Sequence, residues 1–307
     1  MSALRAELER YLALRNSLGH KLKLASWMLG SFVSFMEERG AETITTELAL
    51  TWATLPANTS TAWWSQRLSA ARGFARHLSA IDPATEVPPG RLIVAAHPRA
   101  TPFPLSEDDI VRIAEAASRL SPALRGLNYS TLFPLLAVTG MRVGEALALD
   151  EDDVVLSEGL IHVRDAKFGK ARDIPVHSST VAALADYRAR RDELAPAAPG
   201  SFFVSHEGHR LSYASAQMAF AESVRAVGLR PISPRCRPRL HDLRRRFATE
   251  AVASLYREGL DPVRLLPSLS TYLGHVDPAA TYCYIAASPG LMTEASDRLS
   301  AFLGDLP

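Results

Sequence analysis

The sequence predicts a mainly α-helical protein with a small β-sheet, an α+β fold built in two parts. Three observations predict it. Helical periodicity fills the first 80 or so residues, a proline-dense stretch comes next, and a second helical region is interrupted by three short β-type runs. At 307 residues the chain has room for two ordinary domains.

In the first part, Leu4, Leu8, Tyr11 and Leu12 begin one apolar stripe, and Leu22, Trp27, Phe32, Phe35 and Met36 make another. Glu47 to Thr54 forms a short helix that must end before Pro56. A longer helix spans about Ser60 to Ser79, with Trp63, Trp64, Leu68, Ala71, Phe74 and Leu78 inward. Arg67, Arg72, Arg76 and His77 lie between these positions and are expected to serve solvent or phosphates. From Asp82 onward, Pro83, Pro88, Pro89, Gly90, Pro98, Pro102 and Pro104 break all periodicity. Proline at this density makes a semi-rigid connector. The predicted boundaries are a helical domain at 1–86, a linker at 87–104 and a second domain at 105–307.

The second part opens on Ser106-Glu107-Asp108-Asp109, a capping box in which Ser106 and Asp109 satisfy each other's backbone amides. Helices are expected near 107–120, 127–138 and 143–149, then strands near 154–156, 161–164 and 173–176. Further helices are expected near 179–194, 214–227, 242–257, 263–272 and 291–303.

Composition excludes several classes. No run of about eighteen apolar residues is present to cross a bilayer, and Met1 to Arg10 lacks an apolar leader core. Cys236 and Cys283, the two cysteines, cannot build a disulfide framework or a four-cysteine zinc site, so a cytoplasmic protein is expected. The formal net charge is only +1, but seven arginines lie between Arg230 and Arg246 against one acid, Asp242. That run suits either a phosphate-binding surface or a solvated helix face, and composition leaves the choice open.

Three segments of the second part carry chemistry: Thr139-Gly140-Met141-Arg142-Val143-Gly144-Glu145, His241-Asp242-Leu243-Arg244, and Leu273-Gly274-His275 followed by Tyr284. A fourth, Lys167-Phe168-Gly169-Lys170-Ala171-Arg172-Asp173-Ile174-Pro175, lies in the predicted β-region. Taken singly, each has an ordinary structural reading: a surface arginine, a chance His-x-x-Arg, a solvated lysine, a half-buried tyrosine. Their order and context together resemble the tyrosine recombinase (phage integrase) family, over the whole second part. That pattern pairs an arginine in Thr-Gly-x-Arg-x-x-Glu with a hairpin lysine, His-x-x-Arg, Leu-Gly-His and a tyrosine nine residues beyond the last histidine; here Tyr284 follows His275 by nine.

The resemblance implies a catalytic set of Arg142, Lys167, His241, Arg244, His275 and Tyr284. It also implies that Lys167 protonates the departing 5′ oxygen and that His275 donates to the phosphate. Elementary chemistry accounts for the residue types. A phosphodiester in transfer gathers charge on its non-bridging oxygens, and planar guanidinium forks such as Arg142 and Arg244 suit them best. His241, one helical turn before Arg244, is placed to assist proton movement. Tyrosine has a pKa near ~10, so nearby guanidiniums are needed to favour its phenolate. The resulting 3′-phosphotyrosine keeps the bond energy, so neither ATP nor any other cofactor is expected, and no metal.

Other residues take plainer roles. Tyr282 sits about 200° around a helix from Tyr284 and reads as packing; Cys283 reads as a small buried filler. Glu145 and Asp242 are expected to brace arginines and backbone, and Asp150 to Asp153 to solvate a loop. His206 and His209 lie in a turn without a third ligand. Arg245 and Arg246 depart from the histidine and threonine usual in the family.

The resemblance further implies that residues 1–86 are a helical core-binding, SAM-like DNA-binding domain. The partner is then double-stranded DNA, held by a homotetramer on two recombination sites. The stripe Leu291, Ala295, Leu299, Phe302 and Leu303 suggests a last helix that docks on a neighbouring protomer, the alternative being that it folds back on its own domain. A mobile-element integrase is the reading preferred. The alternatives are a Xer-like dimer resolvase, a type IB topoisomerase, or a DNA-binding protein that has lost catalysis.

Overall fold

The computed structural model describes residues 2–20, 22–94, 101–164, 171–195, 200–260, 262–274 and 300. The chain divides into two compact units, Met1–Arg99 and Ala100–Pro307.

The first unit contains α1 (Ala3–Ser17), α2 (Lys23–Glu38), α3 (Thr46–Thr54) and α4 (Thr61–Leu78). Three of these begin on a hydroxyl cap: Ser2 accepts from the Arg5 amide, Thr45 from Leu48 and Ser60 from Trp63. Their apolar faces meet in a core of Leu4, Leu8, Met28, Phe32, Met36, Trp52, Leu68 and Phe74, with the Phe32 and Trp52 rings 4.9 Å apart.

Two expectations fail here. Trp27 is 61% exposed, because the inward stripe of α2 runs through Met28, Leu29, Phe32, Val33 and Met36 and leaves position 27 outside it. Arg67 is not available to phosphates: it is buried, lies 3.9 Å over the Trp52 ring and donates to the Trp52 carbonyl at 2.7 Å. Arg72 is also engaged, donating to the carbonyls of Pro88 and Pro89 at 2.7 and 2.9 Å. These bonds fasten the start of the proline-rich stretch to α4.

The second unit contains α5 (Glu107–Ser118), α6 (Ala123–Thr139), α7 (Val143–Ala148), a 3-10 turn at Glu151–Asp153, then β1 (Val154–Val155), β2 (Leu160–Val163) and β3 (Arg172–Pro175). It continues through α8 (Ser178–Leu194), α9 (Tyr213–Ala226), α10 (Leu240–Arg257) and α11 (Pro262–Leu273). The capping box of Ser106 and Asp109 forms as the sequence suggests. The strands pair antiparallel in the order β1-β2-β3, with Ile161 opposite Ile174. Alternation places Val154, Ile161, Val163 and Ile174 on the buried face. Helix α6 is central, packing against α5, α8, α9 and α10, and starts a turn earlier than its periodicity indicates because the extended Pro122 launches it. The expected helix near 291–303 lies outside the described residues.

The acids at 150–153 do more than solvate a loop. Asp153 is buried and ion-paired with Arg164; Glu151 pairs with Arg191 and Arg188, and Arg210 donates to Asp150 at 2.6 Å. These arginines arrive from distant points of the chain, which is why local sequence does not disclose them. Among the described residues, no helix is long and apolar enough to cross a membrane.

A buried polar knot ties α6 and α8 to the chain near residue 203. The Tyr187 hydroxyl lies 2.7 Å from Asn128 Oδ1 and 3.1 Å from the Phe202 carbonyl, while Asn128 donates to the Val204 carbonyl at 2.7 Å. Burial pushes the Tyr187 pKa well above its ordinary value, so the phenol stays protonated and able to donate. Tyr187→Phe should therefore leave a buried acceptor short of a donor and cost about 1–2 kcal/mol. Urea unfolding should show a lower midpoint at an unchanged slope; an unchanged midpoint would contradict a structural role for this hydroxyl.

Candidate functional site

The site is assembled where α6 ends. Gly140 terminates that helix in the left-handed region at φ 61°, and a Cβ there would stand 2.3 Å from the Phe247 ring. Only glycine meets both demands. The sharp turn delivers Arg142 to the N-cap position of α7, in extended conformation. There its amide donates to Glu145 Oε2 at 2.8 Å and its Nη1 donates to Glu145 Oε1 at 2.6 Å.

Glu145 is buried and takes a second guanidinium. Arg172 of β3 donates through Nη2 to Oε2 at 2.8 Å and through Nη1 to Oε1 at 3.1 Å. Burial alone would raise the Glu145 pKa, but the hydrogen bonds and charges of Arg172 and Arg142 outweigh it and leave the pKa lowered. The carboxylate is therefore ionised at neutral pH. It braces Arg142, as the sequence suggests. Its bond to Arg172 is not disclosed by the sequence, where that arginine is only one letter of the hairpin pattern.

Helix α10 supplies the other side. Buried Asp242 accepts from the Arg239 amide at 2.9 Å and fixes the helix start. Arg244 is 2% exposed and donates to the Gly140 carbonyl at 2.6 Å and to the Leu273 carbonyl at 2.7 Å.

The three guanidiniums converge on one turn. At the end of α11, Arg172 Nε donates to the Tyr272 carbonyl at 2.8 Å, Arg244 to Leu273 at 2.7 Å and Arg142 Nη2 to Gly274 at 2.7 Å. Consecutive carbonyls at a helix C-terminus carry partial negative charge, so cations are favoured there. Gly274 adopts φ 67°, and a Cβ on it would lie 2.8 Å from Arg172 Nη1.

Of the sequence-selected residues, Arg142 and Arg244 are thus brought to neighbouring carbonyls, and His241 lies on the first turn of α10. Lys167, His275 and Tyr284 lie outside the described residues, as do Tyr282 and Cys283. The arginine run divides: Arg230, Arg235 and Arg237 are exposed, Arg244 is buried, and Arg246 approaches Glu107 at 3.8 Å. Among the described residues no group of three or more His, Cys, Asp and Glu is placed to hold a metal.

His241 is held neutral. Lost hydration against the surrounding protein, then repulsion from Arg245, Arg244 and Arg142, bring its pKa down to about 4. The residue as a whole is exposed, so it loses hydration only in part, and the charges of the arginines contribute the rest. The guanidiniums that keep the imidazole neutral also make it a weak base until an anion offsets their charge.

Two sequence-distant arginines, Arg142 and Arg244, thus meet at one turn, with His241 on the first turn of α10. The model of the phage integrase family matches residues 104–290. The chain belongs to the phage integrase family. A Sinorhizobium fredii protein named as an integrase/recombinase is 41% identical over 306 residues, covering 97% of this chain and 98% of that one. The tyrosine recombinase XerC of Azotobacter vinelandii is 30% identical over 223 residues, covering 71% of this chain and 67% of the relative. The fold also matches the Tn1549 transposon integrase in complex with transposon right-end DNA, at TM-score 0.66 and 15% identity, over 97% of this chain and 100% of that one.

The electrostatics of this integrase-family site are open to titration. Resolved by NMR, His241 in the DNA-free protein should remain neutral at about pH 5.5, and Arg245→Ala should shift its midpoint upward. A midpoint at or above the ordinary histidine value would overturn the assignment of three facing cations.

Proposed function

We propose that this chain is a site-specific DNA recombinase that cleaves and rejoins DNA through a 3′-phosphotyrosine on Tyr284. The observation that carries the reading is the convergence of Arg142 and Arg244 on adjacent carbonyls of the turn that leads directly into His275. The two guanidiniums reach it from separate helices, α7 and α10, as a clamp on a single phosphate requires.

In the first step, the Tyr284 phenolate oxygen attacks phosphorus while Arg142 and Arg244 hold the non-bridging oxygens, where the charge of the transition state accumulates. The negative charge of the phosphate offsets the guanidiniums and restores the basicity of His241, which takes the phenol proton. The bond from phosphorus to the 5′ oxygen breaks, and that oxygen takes a proton from Lys167. His275 adds a hydrogen bond to the phosphate. A free 5′ hydroxyl from another strand reverses the steps, regenerating the phenol, so bond energy is conserved and no ATP is consumed. Positive side chains perform the charge stabilisation, and no metal is needed.

Exchange between two duplexes breaks four strands, one nucleophile for each, so four protomers act together on two sites. The helical N-terminal unit serves as the second half of a clasp around duplex DNA. A mobile-element integrase is the preferred role, supported by the integrase/recombinase relative that spans nearly the whole chain.

Denaturing gels with nicked substrate test the assignment. Tyr284→Phe should bind DNA and form no covalent adduct, whereas Tyr282→Phe should still form one. Arg142→Ala and Arg244→Ala should each slow cleavage by about 10²–10³, and excess EDTA should leave wild-type cleavage intact. An adduct surviving in Tyr284→Phe, or loss of cleavage on chelation restored by magnesium, would contradict the mechanism.

A further inference from the structure

Arg172 does something that the catalytic assignment does not require of it. It sits in β3 with 11% of its side chain exposed, and touches both Glu145 and the α11 turn. Glu145 in turn receives four hydrogen bonds: the Arg142 amide, Arg142 Nη1, and Arg172 Nη1 and Nη2. A carboxylate offers about four lone-pair sites, so this acceptor is filled. One negative charge is therefore shared by two guanidiniums in a place with little water to screen it.

The consequence is electrostatic. If Arg142 faced Glu145 alone, the pair would be neutral, and Arg142 would offer a phosphate little net attraction. With Arg172 added, the group Arg142–Glu145–Arg172 keeps one net positive charge. The same contact keeps Arg142 correctly aimed, since Glu145 cannot swing toward it without leaving Arg172.

We propose that Arg172 is a positioning residue for strand cleavage: by sharing Glu145 it preserves the positive charge of Arg142 for the scissile phosphate. Arg172 itself need not touch DNA. The proposal rests on the reading of Arg142 as a phosphate donor, and the control for that reading is separate: wild type and Arg142→Ala on the same substrate. Wild type that fails to cleave, or Arg142→Ala that cleaves normally, sinks the functional reading, whereas the role of Arg172 is decided by its own variants.

The test is a pair of variants and their double, assayed for single-turnover cleavage of a nicked substrate at saturating enzyme, with half-site binding measured by gel shift. Arg172→Gln keeps a donor for the Tyr272 carbonyl but removes the charge. It should cut the cleavage rate by roughly a hundredfold, as the loss of an oxyanion donor does, while half-site affinity stays within about threefold. Adding Glu145→Gln removes the unshared negative charge, so Arg172→Gln/Glu145→Gln should cleave at least about tenfold faster than Arg172→Gln. A purely structural brace predicts the opposite, because the double variant loses still more bonds. A double variant no faster than the single, or a single variant within threefold of wild type, overturns the proposal. Should Arg172→Gln fail to fold by circular dichroism, Arg172→Lys decides: with its charge retained beside Glu145 it should cleave within about tenfold of wild type. A folded Arg172→Lys slowed a hundredfold overturns the proposal equally.

Discussion

The buried carboxylate of Glu145 is the point on which the site depends. It stops the Arg142 side chain from rotating away, ties the β-sheet to α7 through Arg172, and through the same arginine reaches the end of α11. A buried charge is costly unless it is paired and hydrogen-bonded, and here it is both. Because the cost of breaking such a set falls on every member, three chain segments far apart in sequence are held in one arrangement. Gly140 and Gly274 belong to the same constraint, since a side chain on either would intrude on Phe247 or on Arg172.

On the proposed reading, the arrangement lets a chain of net charge +1 handle an anionic substrate. Its bulk field is negligible; what matters is where the charge is fixed. Arg142, Arg172 and Arg244 are gathered at one helix end, and repulsion from Arg245, Arg244 and Arg142 helps to keep His241 neutral. Charges held by carbonyls and by one carboxylate reorganise little during reaction, and this preorganisation is what makes electrostatic catalysis effective. Elsewhere the arginines do different work. Arg67 is consumed in the core of the first unit, and Arg191, buried beside Glu151 and the Phe202 carbonyl, fastens α8 to the acidic 3-10 turn.

Much of this is legible in the sequence. Apolar periodicity locates the helices of the described residues to within about a turn, because burial of one face is a local pattern, and the three strands appear within a residue or two of their runs. Arg142 and Arg244 are legible because their short motifs have fixed spacing. Anything set by tertiary contact is not. Trp27 has the composition of a core residue but falls outside the stripe. Arg67 looks solvated, and its burial depends on Trp52 fifteen residues earlier. The acids at 150–153 look like a loop until arginines at 164, 188, 191 and 210 come to meet them. Arg172 is the most telling case: an alternating strand shows that its side chain takes one face, but not that a glutamate from another element waits there.

The central claim is that strand cleavage proceeds by covalent attachment through Tyr284, and peptide mapping of the trapped complex addresses it most directly. Enzyme stalled on a nicked DNA substrate would be digested with trypsin and nuclease and its modified peptides sequenced by mass spectrometry. The predicted result is a nucleotide joined through its 3′ phosphate to Tyr284, with Tyr282 unmodified and a 5′ hydroxyl on the released strand. Attachment at any other side chain, or strand breaks with no protein–DNA bond, would contradict it.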